Sequence, residues 1–308
     1  MARGTTGAIE AFAPPSAVGQ RLRAYGKGAV RFLRRKPLGA LGLFIVLVAI
    51  FAGALAGYGE RRIIATYDPL AQSAQERVKP PSAAHWMGTD EFGRDVYSRI
   101  VYGARVSLVV AFWAIGIGTT LGFIAGIISG YLGGWVDLLL QRLSEIILSF
   151  PAVLLALSLV AMLGAGLDKV VIALSIVFFP SSLRVIRGSV LAVKQNVYIE
   201  AARAIGATRL RIMALHVLPN VVAPFLIVAS VQLGNAILLE STLSFLGLGV
   251  PPPHSSWGRM LTGGAQQFAQ TAPWLVVFPG AAITLLVLGF NLFGDALRDV
   301  LDPKLRGR

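Results

Sequence analysis

Residues 200–219 read EAARAIGATRLRIMALHVLP, a charged, helix-forming island between two strongly apolar stretches. Everything else in the chain is placed relative to it, because a segment carrying Glu200, Arg203, Arg209 and Arg211 has to lie outside lipid. A helix is expected from near Ser189 through Ala201, Ala202 and Ala204, with Gly206 ending it in a left-handed conformation. Thr208 is then positioned to cap a second short helix, Arg209 to Val217. Pro219 should block further helix and begin the next apolar segment. The product is two short helices joined at a glycine, with alanines on one face and arginines around them. Small side chains there would let another protein approach the backbone; an ordinary connecting loop between two spans accounts for the same residues.

The flanking sequence sets the broad class. Hydrophobic residues make up 55% of the 308-residue chain and charged residues only 14%, and the mean hydropathy is +0.70, well outside the range of soluble domains. Apolar runs long enough to cross a hydrocarbon core, about 20 residues each, occur six times: Leu38–Tyr58, Val106–Tyr131, Leu138–Leu163, Val170–Ile186, Asn220–Leu243 and Trp274–Leu297. They are continuously apolar rather than alternating, so they are expected to be helices and not barrel strands. The expected fold is an all-α polytopic membrane protein with a leader, residues 1–37, and one transmembrane domain, residues 38–308. Ala54-Leu55-Ala56 mimics a signal-peptidase site, but the apolar run before it exceeds the usual 7–15 residues or so, and an uncleaved first span is expected.

The net charge of +13 would suit nucleic acid, but the basic residues gather beside the apolar spans, as membrane topology requires. The leader holds Arg3, Arg21, Arg23, Lys27, Arg31, Arg34, Arg35 and Lys36 against a single acid, Glu10. That places the N-terminus in the cytoplasm, and six spans return the C-terminus there. By the same count residues 188–219 are cytoplasmic, and residues 59–101 and 246–273 are extracytoplasmic loops. Leu22, Tyr25, Ala29, Phe32 and Leu33 recur at helical spacing among the arginines, a pattern suited to a basic amphipathic helix on the membrane surface or to a plain positive flank. With no cysteine there is neither a disulfide framework nor a thiolate site.

Four features inside the spans carry further expectations. Gly118, Gly122, Gly126 and Gly130 form a stripe at every fourth residue, suited to close helix packing or to a wall of a translocation path. Pro151, Pro180, Pro224 and Pro279 predict kinks. Arg142 and Glu145 stand one turn apart and can pair with each other. Gln232 and Asn235 share a helix face, with Glu240 beyond them; these three are the candidate pathway-lining residues, with hydrogen bonding to a neighbouring helix as the alternative. Ahead of the second span, Asp90, Arg94, Asp95 and Arg99 can form a charge network that braces a loop, with turns at Gly88 and Gly93. Docking of an external protein is the alternative role. No phosphate-binding GxxxxGK[ST] loop, metal-ligand spacing or hydrolytic pair is found; Leu261-Thr262-Gly263-Gly264 bears only a chance likeness to an ATPase signature loop. An intramembrane enzyme therefore lacks its catalytic groups, and a secondary transporter lacks evident inverted repeats and midplane charges.

Several of these stretches resemble a known family. The pattern EAA, three residues, G and a closing LP, in Glu200, Ala201, Ala202, Gly206, Leu218 and Pro219, is similar to the coupling motif of bacterial ABC importer permeases. Gly88-Thr89-Asp90, Gly93-Arg94-Asp95 and Ser98-Arg99, then Gly103-Ala104-Arg105-Val106-Ser107-Leu108, resemble the dipeptide, oligopeptide and nickel branch. So do Glu240-Ser241-Thr242-Leu243-Ser244-Phe245-Leu246-Gly247-Leu248-Gly249 with Ser256-Trp257-Gly258, and Asn291-Leu292-Phe293-Gly294-Asp295 with Leu301-Asp302-Pro303. Trp86-Met87 before Gly88 is the less typical part. The resemblance runs from about Leu38 to the end and points to the second, C-type, permease subunit with a type I permease bundle. It implies a homologous permease partner, two ATPase subunits that carry ATP and Mg, an extracytoplasmic solute-binding protein, and a bacterial inner-membrane location. Peptides are the implied solute, with glutathione, nickel chelates and opines open. No cofactor is implied on this chain and no nucleic acid.

Overall fold

The computed structural model describes residues 36–56, 63–252, 254–262 and 264–301. The basic leader and the Leu301-Asp302-Pro303 ending, apart from Lys36 and Leu301, lie outside the described residues. So does Gly263 of the signature-like stretch. Among the described residues the chain is helical, with no strand beyond one isolated bridge between Thr89 and Asp95. The helices are α1 (Pro37–Leu55), α2 (Val96–Leu132), α3 (Gly134–Leu148), α4 (Ala152–Leu163), α5 (Leu167–Lys194), α6 (Val197–Ala204), α7 (Arg209–Ile212), α8 (Leu218–Phe245), α9 (Trp257–Met260), α10 (Gly264–Gln267) and α11 (Trp274–Leu301).

Local chemistry sets most of the boundaries. Pro37 opens α1, where its missing N–H would have had no helical partner. The Asp95 carboxylate caps α2 by accepting from the Ser98 N–H at 2.8 Å. At 1.5 Å per residue the 37-residue α2 is about 55 Å long, and it reaches from one end of the bundle to the other. Gly133 and Gly134, both at positive φ, reverse the chain into α3. The stretch expected as one span, Leu138–Leu163, is instead two helices bent by 90°. Pro151 causes the break: it has no N–H for Ile147 and forces Phe150 away from helical geometry. Among the described residues five helices are long and apolar enough to span a membrane, or six spans result if the bent pair counts as one.

Pro180, Pro224 and Pro279 sit inside continuous helices, so none of them ends its segment. The helix expected from Ser189 to Ala204 is likewise corrected. It stops at Lys194, and Asn196 takes an extended backbone before α6 begins, with its side chain donating to the Val193 carbonyl at 2.9 Å.

The hydrophobic groups pack around α2 and α5. These two helices run parallel, and the glycine stripe is their contact. A Cβ on Gly118 would lie 2.5 Å from the Ser175 carbonyl oxygen, and one on Gly122 would lie 2.5 Å from that of Phe179. A Cβ on Gly126 would lie 2.8 Å from the Leu183 carbonyl oxygen, and one on Gly130 would lie 2.9 Å from the Val190 side chain. Lipid is as apolar as a leucine side chain, so nothing drives helices together except packing and hydrogen bonds. The close approach supplies both: Ser182 Oγ donates to the Thr119 carbonyl at 2.8 Å, and Ser175 Oγ to that of Ala114 at 3.2 Å. The stripe is thus a packing surface, facing α5 rather than a pathway. Elsewhere α1 lies on α11 through Gly42 and Gly289, and α11 lies on α8 beside Gly234 and Gly294.

Gly122→Ala should lower stability by about 1–3 kcal/mol, because its methyl group meets backbone rather than a movable side chain. Gly116→Ala on the same helix has open space and should be neutral or stabilising by up to about 1 kcal/mol from helix propensity. Thermal midpoints of the purified protein, followed by size-exclusion chromatography, test the contrast.

Candidate functional site

At the end of the bundle where α2 and α5 finish, α6 and α7 form a cap. Ile199, Ala202, Ile212 and Val217 are buried against Ile127, Tyr131, Ile186 and Val190. Lys194 Nζ donates to the Tyr131 carbonyl at 2.8 Å, and the Arg203 guanidinium lies over the Tyr131 ring. Gly206 has φ +81°, a conformation that side-chain-bearing residues avoid, and its N–H donates to the Arg203 carbonyl. Thr208 Oγ1 accepts from the Arg211 N–H at 3.4 Å. Glu200 lies in the first turn of α6, where a carboxylate complements the helix dipole.

The alanines do not share one face. Ala202 points into the bundle, while Ala201 and Ala204, three apart, are exposed. The outer surface is apolar as well as small: Val197 is 78% exposed, Ile205 85% and Leu210 74%. Glu200, Gly206, Leu218 and Pro219 are exposed too.

Pro219 does not stop the helix. It occupies the second position of α8, and the chain is continuously helical from Arg209 to Phe245. A π-turn, Met213–Val217, makes this possible. The Leu218 N–H reaches back to the Met213 carbonyl, and Asn220 Nδ2 donates to the His216 carbonyl at 2.6 Å. The register is thereby re-paired around the proline's missing donor.

At the opposite end, where α2 begins, Asp90 gathers its partners. Its carboxylate accepts from the Phe92 and Arg94 N–H groups at 2.9 Å each and from Arg94 Nε at 2.7 Å, with Arg99 Nε at 3.4 Å. Asp95 stands apart from this cluster. Besides capping α2 it pairs with His85 Nδ1 at 2.9 Å, while His85 Nε2 faces Glu76 at 3.6 Å. Gly88 and Gly93 both have positive φ, and Trp274 Nε1 ties α11 to this loop through the Thr89 carbonyl. His85 has no sequence signal as a partner, because Asp95 is ten residues away and their pairing depends on how the loop closes.

Within the bundle, Asn235 Nδ2 donates to Gln232 Oε1 at 2.9 Å, so the two do share a face; Gln232 is buried and Asn235 exposed. Glu240 is fully buried by its own chain, where it accepts from Ser107 Oγ at 3.0 Å and Ser244 Oγ at 2.7 Å. It therefore joins α2 to α8 and presents no surface of this chain. Arg142 and Glu145 form an exposed ion pair at 2.8 Å. Sequence reasoning missed the bidentate pair of Arg187 with Asp137, 2.6 Å on both arms, which ties α3 to α5. Fifty residues separate the two, and neither lies in a recognisable motif. Among the described residues no cluster of His, Asp and Glu is disposed to hold a metal ion.

Comparison with known proteins places this arrangement. Residues 118–307 match the family of binding-protein-dependent transport system inner membrane components. The chain is 44% identical to the dipeptide transport system permease protein of Alkalihalophilus pseudofirmus over 90% of each chain. It is 40% identical to the glutathione transport system permease protein of Pectobacterium atrosepticum, again over 90% of each. It is 38% identical to the probable D,D-dipeptide transport system permease protein of Escherichia coli over 94% of this chain and 95% of that one. The apolar helices and these matches together make the chain a multi-pass permease subunit, a member of the binding-protein-dependent transport system inner membrane component family.

Proposed function

We propose that this subunit forms half of a peptide translocation pathway and takes its power stroke through residues 200–219. The observation that carries the reading is the cap built by α6 and α7. It exposes Val197, Ala201, Ile205 and Leu210 while its inner face is buried on the ends of α2 and α5. A surface so apolar and so small is suited to a groove on a separate ATPase, and its buried face passes the motion to the bundle. ATP and Mg belong to two such ATPase subunits, this chain having no phosphate-binding loop of its own. A second, homologous permease completes the pathway, and an external binding protein delivers solute at the Asp90 end. The cap and both chain termini are cytoplasmic in this reading; residues 59–101 and 246–273 face outward. Peptides are the proposed solute because two of the relatives above are named for dipeptides; the glutathione relative makes glutathione the second candidate. Gln232 and Asn235 are the pathway-facing candidates, with Asn235 the accessible one.

Two experiments test this. Proline at 206 cannot adopt φ +81° and removes the N–H bonded to Arg203, so Gly206→Pro should reduce ATP-driven dipeptide uptake into vesicles to background while the ATPase subunits still copurify. Undiminished uptake would reduce residues 200–219 to a connecting loop. Excess glutathione should compete weakly if peptides are the solute and fully if it is. The absence of cysteine makes orientation directly measurable: in intact cells an impermeant maleimide should label Trp86→Cys, and it should reach Ile205→Cys only after lysis.

A further inference from the structure

Beside the cap, a cavity of about 350 Å³ opens among Tyr131, Leu132, Lys194, Arg203 and Arg209. Lys194 Nζ and the Arg203 guanidinium each lie 5.7 Å from the centre of the Tyr131 ring, and Arg209 stands on the rim. None of the three cations forms an ion pair among the described residues, while Asp137, the carboxylate nearest in sequence to Tyr131, is held by Arg187. Like charges converging without a counter-charge repel one another, and an anion between them would relieve this. The other wall of the cavity is apolar. Leu132, Ala207 and Ile212 line it, and Trp135, Leu138 and Leu139, which follow Leu132 in the chain at the start of α3, are exposed, Trp135 by 74%. Exposed tryptophan beside long apolar helices is characteristic of the membrane–water boundary.

From this juxtaposition we infer that the cavity is a binding site for the phosphate headgroup of an anionic phospholipid. The phosphodiester sits among Lys194, Arg203 and Arg209, and an acyl chain runs along Trp135, Leu138 and Leu139. Guanidinium groups match phosphate oxygens in fork geometry, and basic pockets between membrane helices take anionic headgroups. A dissolved phosphate would satisfy the cations but leave the apolar wall bare, and so would an acidic protein surface. A phospholipid satisfies both walls at once. Because Lys194 ends α5 and Arg203 lies in α6, the bound headgroup bridges the break at Gln195-Asn196 and stiffens the seat of the cap. The site does not depend on which face of the membrane it occupies.

The test uses the complete transporter, with its ATPase subunits, in phosphatidylcholine nanodiscs titrated with phosphatidylglycerol, and bound lipid is counted by native mass spectrometry. The wild type should retain phosphatidylglycerol selectively. Lys194→Gln/Arg203→Gln/Arg209→Gln should weaken retention about a hundredfold, on the scale set by one cation near an anionic headgroup taken three times. Arg203→Lys/Arg209→Lys, which keeps the charges, should retain most of the binding. So should Arg184→Gln, which removes an exposed charge of α5 outside the cavity. Equal retention by the triple variant, or equal loss from Arg184→Gln, overturns the site. Displacement by inorganic phosphate reassigns it to a dissolved anion and overturns the lipid. Retention that appears only once the ATPase subunits are stripped away shows that the cations serve that partner instead.

Discussion

Nothing in this bundle can be placed until α2 and α5 touch backbone to backbone. In lipid, two helices gain nothing by hiding leucines from their surroundings, so association rests on contact distance and on hydrogen bonds that only short distances permit. The four glycines from Gly118 to Gly130 create that distance, and Ser175 and Ser182 use it to reach carbonyls of the neighbouring helix. The two helices run parallel, so their C-terminal ends finish side by side. That paired end is what Ile199, Ala202, Ile212 and Val217 pack onto. The position of the cap is therefore a consequence of the glycine stripe rather than a property of residues 200–219 alone.

Polar contacts between helices act as registration pins for the same assembly. Glu240 between Ser107 and Ser244 ties α2 to α8, and Arg187 with Asp137 ties α3 to α5. Removing Ser107 or Ser244 would leave the buried Glu240 carboxyl short of a hydrogen-bond partner, which costs more than the bond itself contributes. Asp90 and Asp95 divide the work at the other end: one gathers the turn containing Phe92 and Arg94, and the other caps α2 and holds His85.

What the sequence made legible was whatever depends on residues close together in the chain. Gly206 has the left-handed backbone its position suggested, and Thr208 caps as expected. Gln232 and Asn235 bond at the expected i, i+3 separation, and the long apolar helices follow from composition. The failures have two physical origins. Some are competitions between local signals, as at Pro219, where a π-turn and the Asn220 side chain rescue a helix that the proline alone would have ended. The break at Asn196 is of the same kind, whereas the bend at Pro151 falls where the proline predicts a kink. The rest are long-range: His85 with Asp95, and Asp137 with Arg187, become neighbours only through the fold. Glu240 is polar in an apolar span, which fits a pathway-lining residue or an interhelical hydrogen bond, and only three-dimensional packing shows that Ser107 and Ser244 of its own chain enclose it.

The continuity of α7 with α8 gives the cap two mechanically different attachments. Toward α5 the chain is interrupted at Gln195-Asn196 and again at Gly206, where the helical hydrogen-bond ladder is broken. Toward α8 the helix is unbroken from Arg209 to Phe245, and a continuous helix transmits displacement along its axis. The far end of that helix carries Glu240 and Ser244, and beyond it Gly258 packs directly on the Ser241 backbone. A displacement of the cap thus travels stiffly to the other end of the bundle along α8, while α6 can pivot on α5. The π-turn sits at the root of the stiff route, where the Leu218 N–H bonds to the Met213 carbonyl. Pro219, which a local reading takes as a helix stop, instead sits beside that π-turn, and Pro224 is a second proline inside the same helix.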